Sequence, residues 1–161
     1  MIRIGHGYDV HKFSELVSTK GIRLGGIQID HDYHLIAHSD GDVLIHALCD
    51  GLLGAAALGD IGKHFPDNNP KYKDIDSTLL LINVNELVNS KGYSIGNIDI
   101  SIEAEAPKMT QHIPNICQKI AHLLEIPVED VNVKATTTEG LGFVGRSEGI
   151  AVHAVVLIYE N

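Results

Sequence analysis

The sequence predicts an α/β sandwich, in which helices cover one face of a mainly four-stranded mixed sheet and a small hairpin lies beside it. Segments with alternating apolar residues, typical of strands, are interspersed with segments of helical spacing, in the order β-β-α-α-β-α-β-β. The chain has 161 residues, of which 44% are apolar, and this is the usual size of one domain. We therefore expect one core and a single domain over residues 1–161.

The first part of the chain predicts two extended segments and a helix. Residues 2–12 alternate and are rich in Ile, Tyr and Val, which predicts a strand. Residues 21–30 predict a second strand or a hairpin arm, with a bulge or bend at the Gly-Gly pair. The helical pattern of residues 42–58 follows, and either Asp40 or Asp42 can cap its N-terminus.

The rest of the chain predicts a long loop, two more helices and three strands. Residues 59–77 are rich in Gly, Pro, Asp, Asn and Lys and have no periodicity, which is typical of a functional or mobile loop. Ser77 can cap a helix over residues 78–91, which ends at a Lys-Gly pair. The remaining pattern predicts a strand, a helix and two strands at 95–105, 111–125, 130–137 and 149–159.

The charge and the hydropathy exclude several classes of function. The net charge is -9, and an acidic surface argues against non-specific nucleic-acid binding. A phosphate site must then be local and built from a metal, backbone N–H groups or a few placed cations. The sequence contains no apolar run of membrane-spanning length and no leader pattern. We expect a cytoplasmic protein, or an imported one whose leader is not part of this sequence.

Three residues form a candidate metal site. Asp9 and His11 are two residues apart on the predicted first strand, so their side chains share a face. His46 can complete the site if the predicted first helix packs on that face. Two nitrogens and one oxygen, with a fourth position open, are typical of a catalytic zinc site. Two alternatives remain open: Asp9 can pair with an arginine, and His46 can be an ordinary core histidine.

The sequence HSDGD leads into the helix that carries His46. A helix N-terminus offers free N–H groups and a positive dipole end, and His38 and Ser39 add donors that suit phosphate oxygens. Asp42 precedes His46 by four residues and therefore lies on the same helix face. We expect Asp42 to bond the outer N–H of His46 and orient its ring. Simple capping is the alternative, and it is the favoured interpretation for Asp40.

Two further turns carry polar groups. Residues 134–143 leave a strand for a Gly-rich turn, where Thr hydroxyls and Glu139 offer phosphate donors and an oxygen ligand for Mg²⁺. Thr runs also occur simply as strand formers. Arg146 and Glu148 can form an ion pair, and residues 106–109 predict a turn where a ligand ring can meet backbone groups. The sequence contains no phosphate-binding loop motif and no dinucleotide motif.

Five blocks together resemble one enzyme family over nearly the whole chain: GHGYDVH, AHSDGD, LGDIG with FPD, EAPKM, and VKATTTEGLGFVGR. In this order they resemble the 2-C-methyl-D-erythritol 2,4-cyclodiphosphate synthases of the non-mevalonate isoprenoid pathway. The resemblance implies a phosphorus-oxygen lyase that converts 4-diphosphocytidyl-2-C-methyl-D-erythritol 2-phosphate into the cyclic diphosphate and CMP. The 2-phosphate would attack the β-phosphorus of the same molecule, so that positioning and charge neutralisation supply most of the rate.

The resemblance also implies roles for the metal and phosphate residues. The three candidate metal ligands match zinc ligands of the family, and Glu139 matches a residue that helps to hold a second ion, Mg²⁺ or Mn²⁺. His38 and Thr137 match residues that stabilise the transition state, and Ser39 matches a diphosphate contact. Family members often carry Lys after the TTTE stretch, where this chain has Gly140, so a cation contact at that point is not expected.

Further substrate contacts are implied motif by motif. The ribose and erythritol contacts are Asp60, Ile61 and Gly62, and the flexible substrate loop contains Phe65, Pro66, Asp67, Asn68 and Asn69. The cytidine pocket contains Ala104, Glu105, Ala106, Pro107, Lys108, Met109, Thr110 and Thr136, and Thr138 is a further substrate contact.

The resemblance implies a homotrimer with active sites between subunits. Phe143 and Arg146 match residues near the threefold axis, where the family has a cavity that can hold an isoprenoid diphosphate. Two rival functions are a zinc phosphohydrolase, which would use water at the open metal position, and a non-catalytic metal-dependent trimer that binds an isoprenoid diphosphate. We expect the cytidine diphosphate substrate as the small-molecule partner, and neither nucleic acid nor membrane.

Overall fold

The computed structural model, which describes residues 1–66, 68–72 and 74–161, contains a four-stranded mixed sheet and a separate two-stranded hairpin. In chain order, the helices and strands are β1 (Ile2–Lys12), β2 (Ile22–Leu24), β3 (Ile27–Ile29), α1 (Val43–Ala55), α2 (Ile61–His64), α3 (Ser77–Ser90), β4 (Tyr93–Glu103), α4 (Ile113–Leu124), β5 (Val131–Thr136), α5 (Gly142–Gly145) and β6 (Gly149–Glu160). Single 3₁₀ turns occur at Pro70–Tyr72 and Val128–Asp130.

The four-stranded sheet has the order β1-β6-β4-β5. Strand β6 pairs antiparallel with both β1 and β4, and β5 pairs parallel with β4, so the predicted mixed sheet is confirmed. Helices α1, α3 and α4 pack against strands of this sheet, and Ile, Leu and Val side chains supply most of the core between them. The other face of β1 exposes apolar side chains, including Ile4, which is 69% exposed. Among the described residues, no helix is both long enough and apolar enough to span a membrane.

Helix α1 approaches the backbone of β1 unusually closely, and two glycines of the strand make this possible. A Cβ atom at Gly5 would lie 1.9 Å from the carbonyl oxygen of Gly51, and one at Gly7 would lie 1.8 Å from that of Ala47. Side chains on successive strand residues alternate between faces, so both glycines belong to the covered face of β1. Any larger residue at these positions would push the helix away.

The second extended segment was predicted to be either a strand or a hairpin arm, and it forms a hairpin. Its strands β2 and β3 pair antiparallel, and the turn residues Gly25 and Gly26 have φ angles of 64° and 77°, which glycine adopts without steric cost. Of the two aspartates predicted as possible caps of the first helix, Asp42 caps α1, because its carboxylate accepts the Ile45 N–H at 3.0 Å. The helix ends at Ala55, three residues earlier than predicted.

Two predictions between α1 and β4 are wrong. The predicted loop 59–77 contains the short helix α2, because the Asp60 carboxylate caps it by accepting the Lys63 N–H at 2.9 Å. Periodicity could not reveal so short a helix. Ser77 does not cap α3: Asp76 does so, by accepting the Thr78 N–H at 2.9 Å, and Ser77 is the first residue of the helix. Its hydroxyl is therefore available for another contact.

Candidate functional site

The structure brings Asp9, His11 and His46 together on the face of β1 that helix α1 covers. One ligand atom from each residue lies within 4.8 Å of the other two, and among the described residues no other group of three His, Cys, Asp or Glu side chains meets this condition. Asp9 Oδ2 lies 3.1 Å from His46 Nδ1 and 3.4 Å from His11 Nδ1. The close packing of α1 on β1 places His46 here, because the covered glycines allow the helix to approach.

The orientation of His11 fits a metal ligand. Its Nδ1 lies 2.8 Å from the backbone oxygen of Val10, and because a carbonyl only accepts, Nδ1 carries the proton. In the neutral ring Nε2 is then the nitrogen with the free lone pair, and it is buried without a hydrogen-bond partner. A buried polar atom with no partner costs about 1–3 kcal/mol, which a divalent cation would remove by accepting its lone pair. Asp9 faces these histidines and not an arginine, which removes the first alternative.

His46 is held on both sides of its ring. Nδ1 faces Asp9, and Nε2 lies 3.1 Å from Ser39 Oγ and 3.0 Å from Ser77 Oγ. Burial lowers the pKa of His46, but the hydrogen bond to Asp9 and the negative charges of Asp9, Asp42 and Asp40 together raise it by more, so that this pKa lies above its ordinary value. His46 is thus a polar group with defined partners on each nitrogen, and not an ordinary core histidine.

The prediction that Asp42 orients His46 is wrong. The Asp42 carboxylate is fully buried and accepts three backbone N–H groups, from Gly25 at 2.9 Å, Gly26 at 2.7 Å and Ile45 at 3.0 Å. Burial raises the pKa of this carboxyl, and the three hydrogen bonds oppose that rise. Asp42 therefore joins the start of α1 to the turn of the β2–β3 hairpin, and both ring nitrogens of His46 have other partners, namely Asp9, Ser39 and Ser77.

A cavity of about 580 Å³ opens on the three candidate metal ligands. His38 and Ser39 line it from the segment before α1, so the predicted phosphate donors do lie beside the predicted metal ligands. Four residues of the predicted ribose, erythritol and loop contacts also line it: Ile61, Gly62, Phe65 and Asn68. Asp60 caps α2 beside them, and Asn69 donates its N–H to the Pro66 oxygen at 3.0 Å. Asp67 lies outside the described residues.

The sequence analysis missed Asp50, which lines the same cavity. Its Oδ1 accepts the Ile61 N–H at 2.7 Å and so ties the start of α2 to helix α1. Burial is the main cause that raises the pKa of this carboxyl. Asp50 follows His46 by four residues and therefore shares its helix face, and this spacing was the signal that could have identified it.

The other predicted site residues form a second group, at the ends of β4 and β5. The Ala104 N–H donates to the Thr136 oxygen, and the Thr138 N–H donates to Glu105 Oε1, both at 3.0 Å. Thr137 Oγ1 donates to Glu139 Oε1 at 3.0 Å. The predicted cytidine contacts at Ala104, Glu105, Ala106, Pro107, Lys108, Met109, Thr110 and Thr136 thus adjoin the predicted catalytic and metal residues of the Thr-rich turn. Within the described part of the chain, no member of this group lines the cavity at the three candidate metal ligands.

Phe143 and Arg146 lie near a third feature. Phe143 lines a separate cavity of about 610 Å³ together with Val10, His11, Lys12, Glu148 and Gly149. Arg146 Nε donates to Glu148 Oε1 at 2.9 Å, which confirms the predicted ion pair. This hydrogen bond lowers the pKa of Glu148 and raises that of Arg146.

Comparison with known proteins identifies consistent relatives. The YgbB family model matches residues 2–159. A protein of Azotobacter vinelandii (strain DJ / ATCC BAA-1303) named 2-C-methyl-D-erythritol 2,4-cyclodiphosphate synthase is 60% identical over 157 residues, which are 98% of each chain. A protein of Ectopseudomonas mendocina (strain ymp) with the same name is 60% identical over 159 residues, 99% of each chain.

Solved structures share the fold over the full chain. The bifunctional IspDF from Campylobacter jejuni superposes with a TM-score of 0.94 at 44% identity, over 100% of this chain and 43% of that one. This chain thus spans less than half of that bifunctional protein. IspF of Plasmodium falciparum, in complex with CDP, superposes with a TM-score of 0.86 at 37% identity, over 99% of this chain and 97% of that one.

Proposed function

The chain belongs to the YgbB family, and from this we propose that it acts as a 2-C-methyl-D-erythritol 2,4-cyclodiphosphate synthase of isoprenoid precursor biosynthesis. The substrate is 4-diphosphocytidyl-2-C-methyl-D-erythritol 2-phosphate, and the products are the cyclic diphosphate and CMP, as in a phosphorus-oxygen lyase. The observation that carries the proposal is the convergence of Asp9, His11 and His46 on one cavity that also presents His38 and Ser39. The CDP complex of a relative supports a cytidine ligand.

Asp9 Oδ2, His11 Nε2 and His46 Nδ1 would hold a divalent cation, and two imidazoles with one carboxylate are a ligand set that suits zinc. When bound, such an ion would polarise a phosphate oxygen and neutralise part of the phosphate charge. His38 and Ser39 donate to the diphosphate from the cavity wall and align it for attack by the 2-phosphate. No residue of the chain needs to act as a nucleophile, because both reacting groups belong to the substrate.

The second group of residues completes the site from a neighbouring subunit of a homotrimer. Thr137 and Glu139 lie on the Thr-rich turn, outside the cavity of the metal ligands in the same chain. A second copy can bring this turn to the cavity, with Glu139 holding Mg²⁺ or Mn²⁺, Thr137 stabilising the transition state and Thr138 contacting the substrate. The backbone of 104–110 with Thr136 then binds the cytidine. Phe143 and Arg146 face the threefold axis, where an isoprenoid diphosphate can bind.

A metal-supplemented assay of CMP release, with ³¹P NMR of the products, tests the reaction. We expect release of CMP with one cyclic diphosphate product, and we expect Asp9→Asn to lose about 1,000-fold in kcat, since a bound ion supplies several kcal/mol of stabilisation. Asp30→Asn, at an exposed position after β3, is the matched control and should retain full activity. A linear phosphate product would favour the zinc phosphohydrolase instead. Binding of an isoprenoid diphosphate without any turnover would favour the non-catalytic trimer.

Mixing two inactive variants tests the shared site separately. Asp9→Asn removes the metal half and Glu139→Gln alters the other half, so neither homotrimer should be active. If each site combines two chains, random hybrid trimers assembled from an equal mixture should recover about a quarter of the parent activity. No recovery, with mixed trimers demonstrated by native mass spectrometry, would show that one chain supplies the whole site.

A further inference from the structure

The outer nitrogen of His46 meets a buried hydroxyl that the proposed mechanism does not use. Ser77 is fully buried, and its Oγ lies 3.0 Å from His46 Nε2. The Ser77 hydroxyl also donates to Asp40 Oδ1, and the Ser77 N–H donates to Asp40 Oδ2 at 3.0 Å. Both oxygens of Asp40 are thus directed to the first residue of α3, although the residue lies 37 positions away along the chain.

The direction of the protons along this chain of contacts follows from the inventory of donors. A serine hydroxyl has one proton, and an ionised carboxylate only accepts. Since the Ser77 hydroxyl gives its proton to Asp40, its oxygen can only accept from His46. Nε2 of His46 therefore carries a proton. Nδ1 lies 3.1 Å from Asp9 Oδ2, which only accepts, so a divalent cation bound between these atoms would take the place of a proton on Nδ1 and not of the one on Nε2.

The Asp40 carboxylate has further contacts, which hold it in place independently of His46. Its Oδ1 accepts the Asp42 N–H at 3.2 Å, and its Oδ2 forms an ion pair with Arg23 Nε at 3.3 Å, without the alignment of a hydrogen bond. Asp76 caps α3, so the Ser77 side chain is not needed to begin that helix. Asp40 thus satisfies the first N–H of α3, but the start of the helix does not explain the Ser77 hydroxyl, which is held by Asp40 with its oxygen facing His46.

We propose that Ser77 and Asp40 are positioning residues, which fix the tautomer and the ring orientation of His46 so that Nδ1 is presented to a divalent cation. This inference rests on the metal site of the proposed function. Ser39 Oγ lies 3.1 Å from the same nitrogen, but Ser39 lines the cavity and is the predicted phosphate contact. Ser77 is enclosed and stays with His46 when Ser39 turns to a ligand. Outer partners of this kind typically change metal affinity by about 10–100-fold.

Titration of Zn²⁺ into the metal-free, full-length protein, in competition with a chromogenic chelator, measures the effect. Ser77→Ala should weaken Zn²⁺ binding by about 10-fold, at the low end of that range because Ser39 remains. Ser90→Ala is the matched control on the same helix: its exposed hydroxyl donates only to the Leu87 oxygen, so Zn²⁺ binding should not change. Thermal unfolding of the metal-free proteins should show that Ser77→Ala is folded. Equal affinity in Ser77→Ala and the parent overturns the inference, as does an equal loss in Ser90→Ala.

A second measurement needs no substitution at Ser77. Long-range ¹H–¹⁵N spectra of the Zn²⁺-loaded parent, with His46 assigned from the signals missing in His46→Gln, report which ring nitrogen carries the proton. A proton on Nε2 and a metallated Nδ1 support the inference, and the reverse pattern overturns it. These measurements distinguish a failure of this inference from a failure of the proposed function. If the parent protein binds no Zn²⁺, the proposed metal site is wrong. If the parent and Ser77→Ala bind Zn²⁺ equally tightly, only the positioning role is wrong.

Discussion

Replacing Gly7 with alanine tests whether the packing of α1 on β1 assembles the metal site. The added Cβ would lie 1.8 Å from the backbone oxygen of Ala47, whereas ordinary contact begins at 3.4 Å, so helix and strand must separate by about 1.6 Å. Because the obstacle is backbone and not a flexible side chain, no rotamer change can relieve it. Ala47 directly follows His46, and the displacement therefore moves this candidate metal ligand away from Asp9.

Two quantities should change in Gly7→Ala. Overpacking of a core typically costs about 1–3 kcal/mol, and an immovable backbone obstacle places this substitution at the upper end of the range or above. Urea denaturation, monitored by circular dichroism, measures that loss of unfolding free energy. A misplacement of about 1 Å can reduce activity about 100-fold, so kcat for CMP release should fall at least that far and Zn²⁺ affinity should fall with it.

Gly54→Ala is the matched control, because it makes the same chemical change on α1 where nothing lies within 4 Å of the added Cβ. Alanine favours a helix over glycine by about 1 kcal/mol, so Gly54→Ala should be as stable as the parent or more so, with unchanged Zn²⁺ affinity and kcat. If Gly7→Ala matched the parent in stability and in Zn²⁺ affinity, the close approach would not control the site.

Two further predictions concern carboxylates away from the cavity. Asp42→Ala leaves three backbone N–H groups without their acceptor, which costs about 1–3 kcal/mol for each one that stays buried. Urea denaturation should therefore show that the free energy of unfolding falls by about 3 kcal/mol or more. A fall of less than about 1 kcal/mol would contradict the anchoring role of Asp42. The Lys134 ammonium lowers the pKa of Asp99 in the folded protein. This exposed ion pair therefore stabilises the fold fully at pH values above the unfolded Asp pKa of about 3.9. Its contribution is lost as the pH falls through the lower pKa of the folded state. Lys134→Ala should therefore reduce stability by less than about 1 kcal/mol at pH 7 and leave it unchanged near pH 2; an equal reduction at both values would argue against the ion pair as its source.

The sequence was most informative where a local pattern decides the structure. The alternation of residues 2–12 predicted β1 with its observed bounds, and the spacing of Asp9 and His11 predicted their common face. The mixed sheet, the hairpin and the covering helices were also predicted, because apolar periodicity records which side of each element is buried. The helix pattern and the family blocks indicated His46 as the third candidate ligand before any packing was known, and the structure places it beside Asp9 and His11.

Carboxylate partners were predictable only in part, because several acids compete for a few buried donors. Asp40, Asp42 and Asp76 are all suitable caps by type. Asp42 caps α1 and Asp76 caps α3. Asp40 forms hydrogen bonds with Ser77, the residue that the sequence analysis had predicted as the cap of α3. Which acid serves which donor depends on how the hairpin, α1 and α3 pack, and no spacing along the chain contains that information.

The sequence by itself determined which three residues are the candidate metal ligands, the faces of β1 and α1, and the family to which the chain belongs. Only the tertiary structure decided that α1 comes close enough to β1 for the three ligands to meet, that a serine 31 residues beyond His46 contacts its outer nitrogen, and that the Thr-rich turn stays outside the cavity. The physical reason is that periodicity and capping act within a few residues, whereas ligand convergence depends on backbone separations set by packing between distant segments.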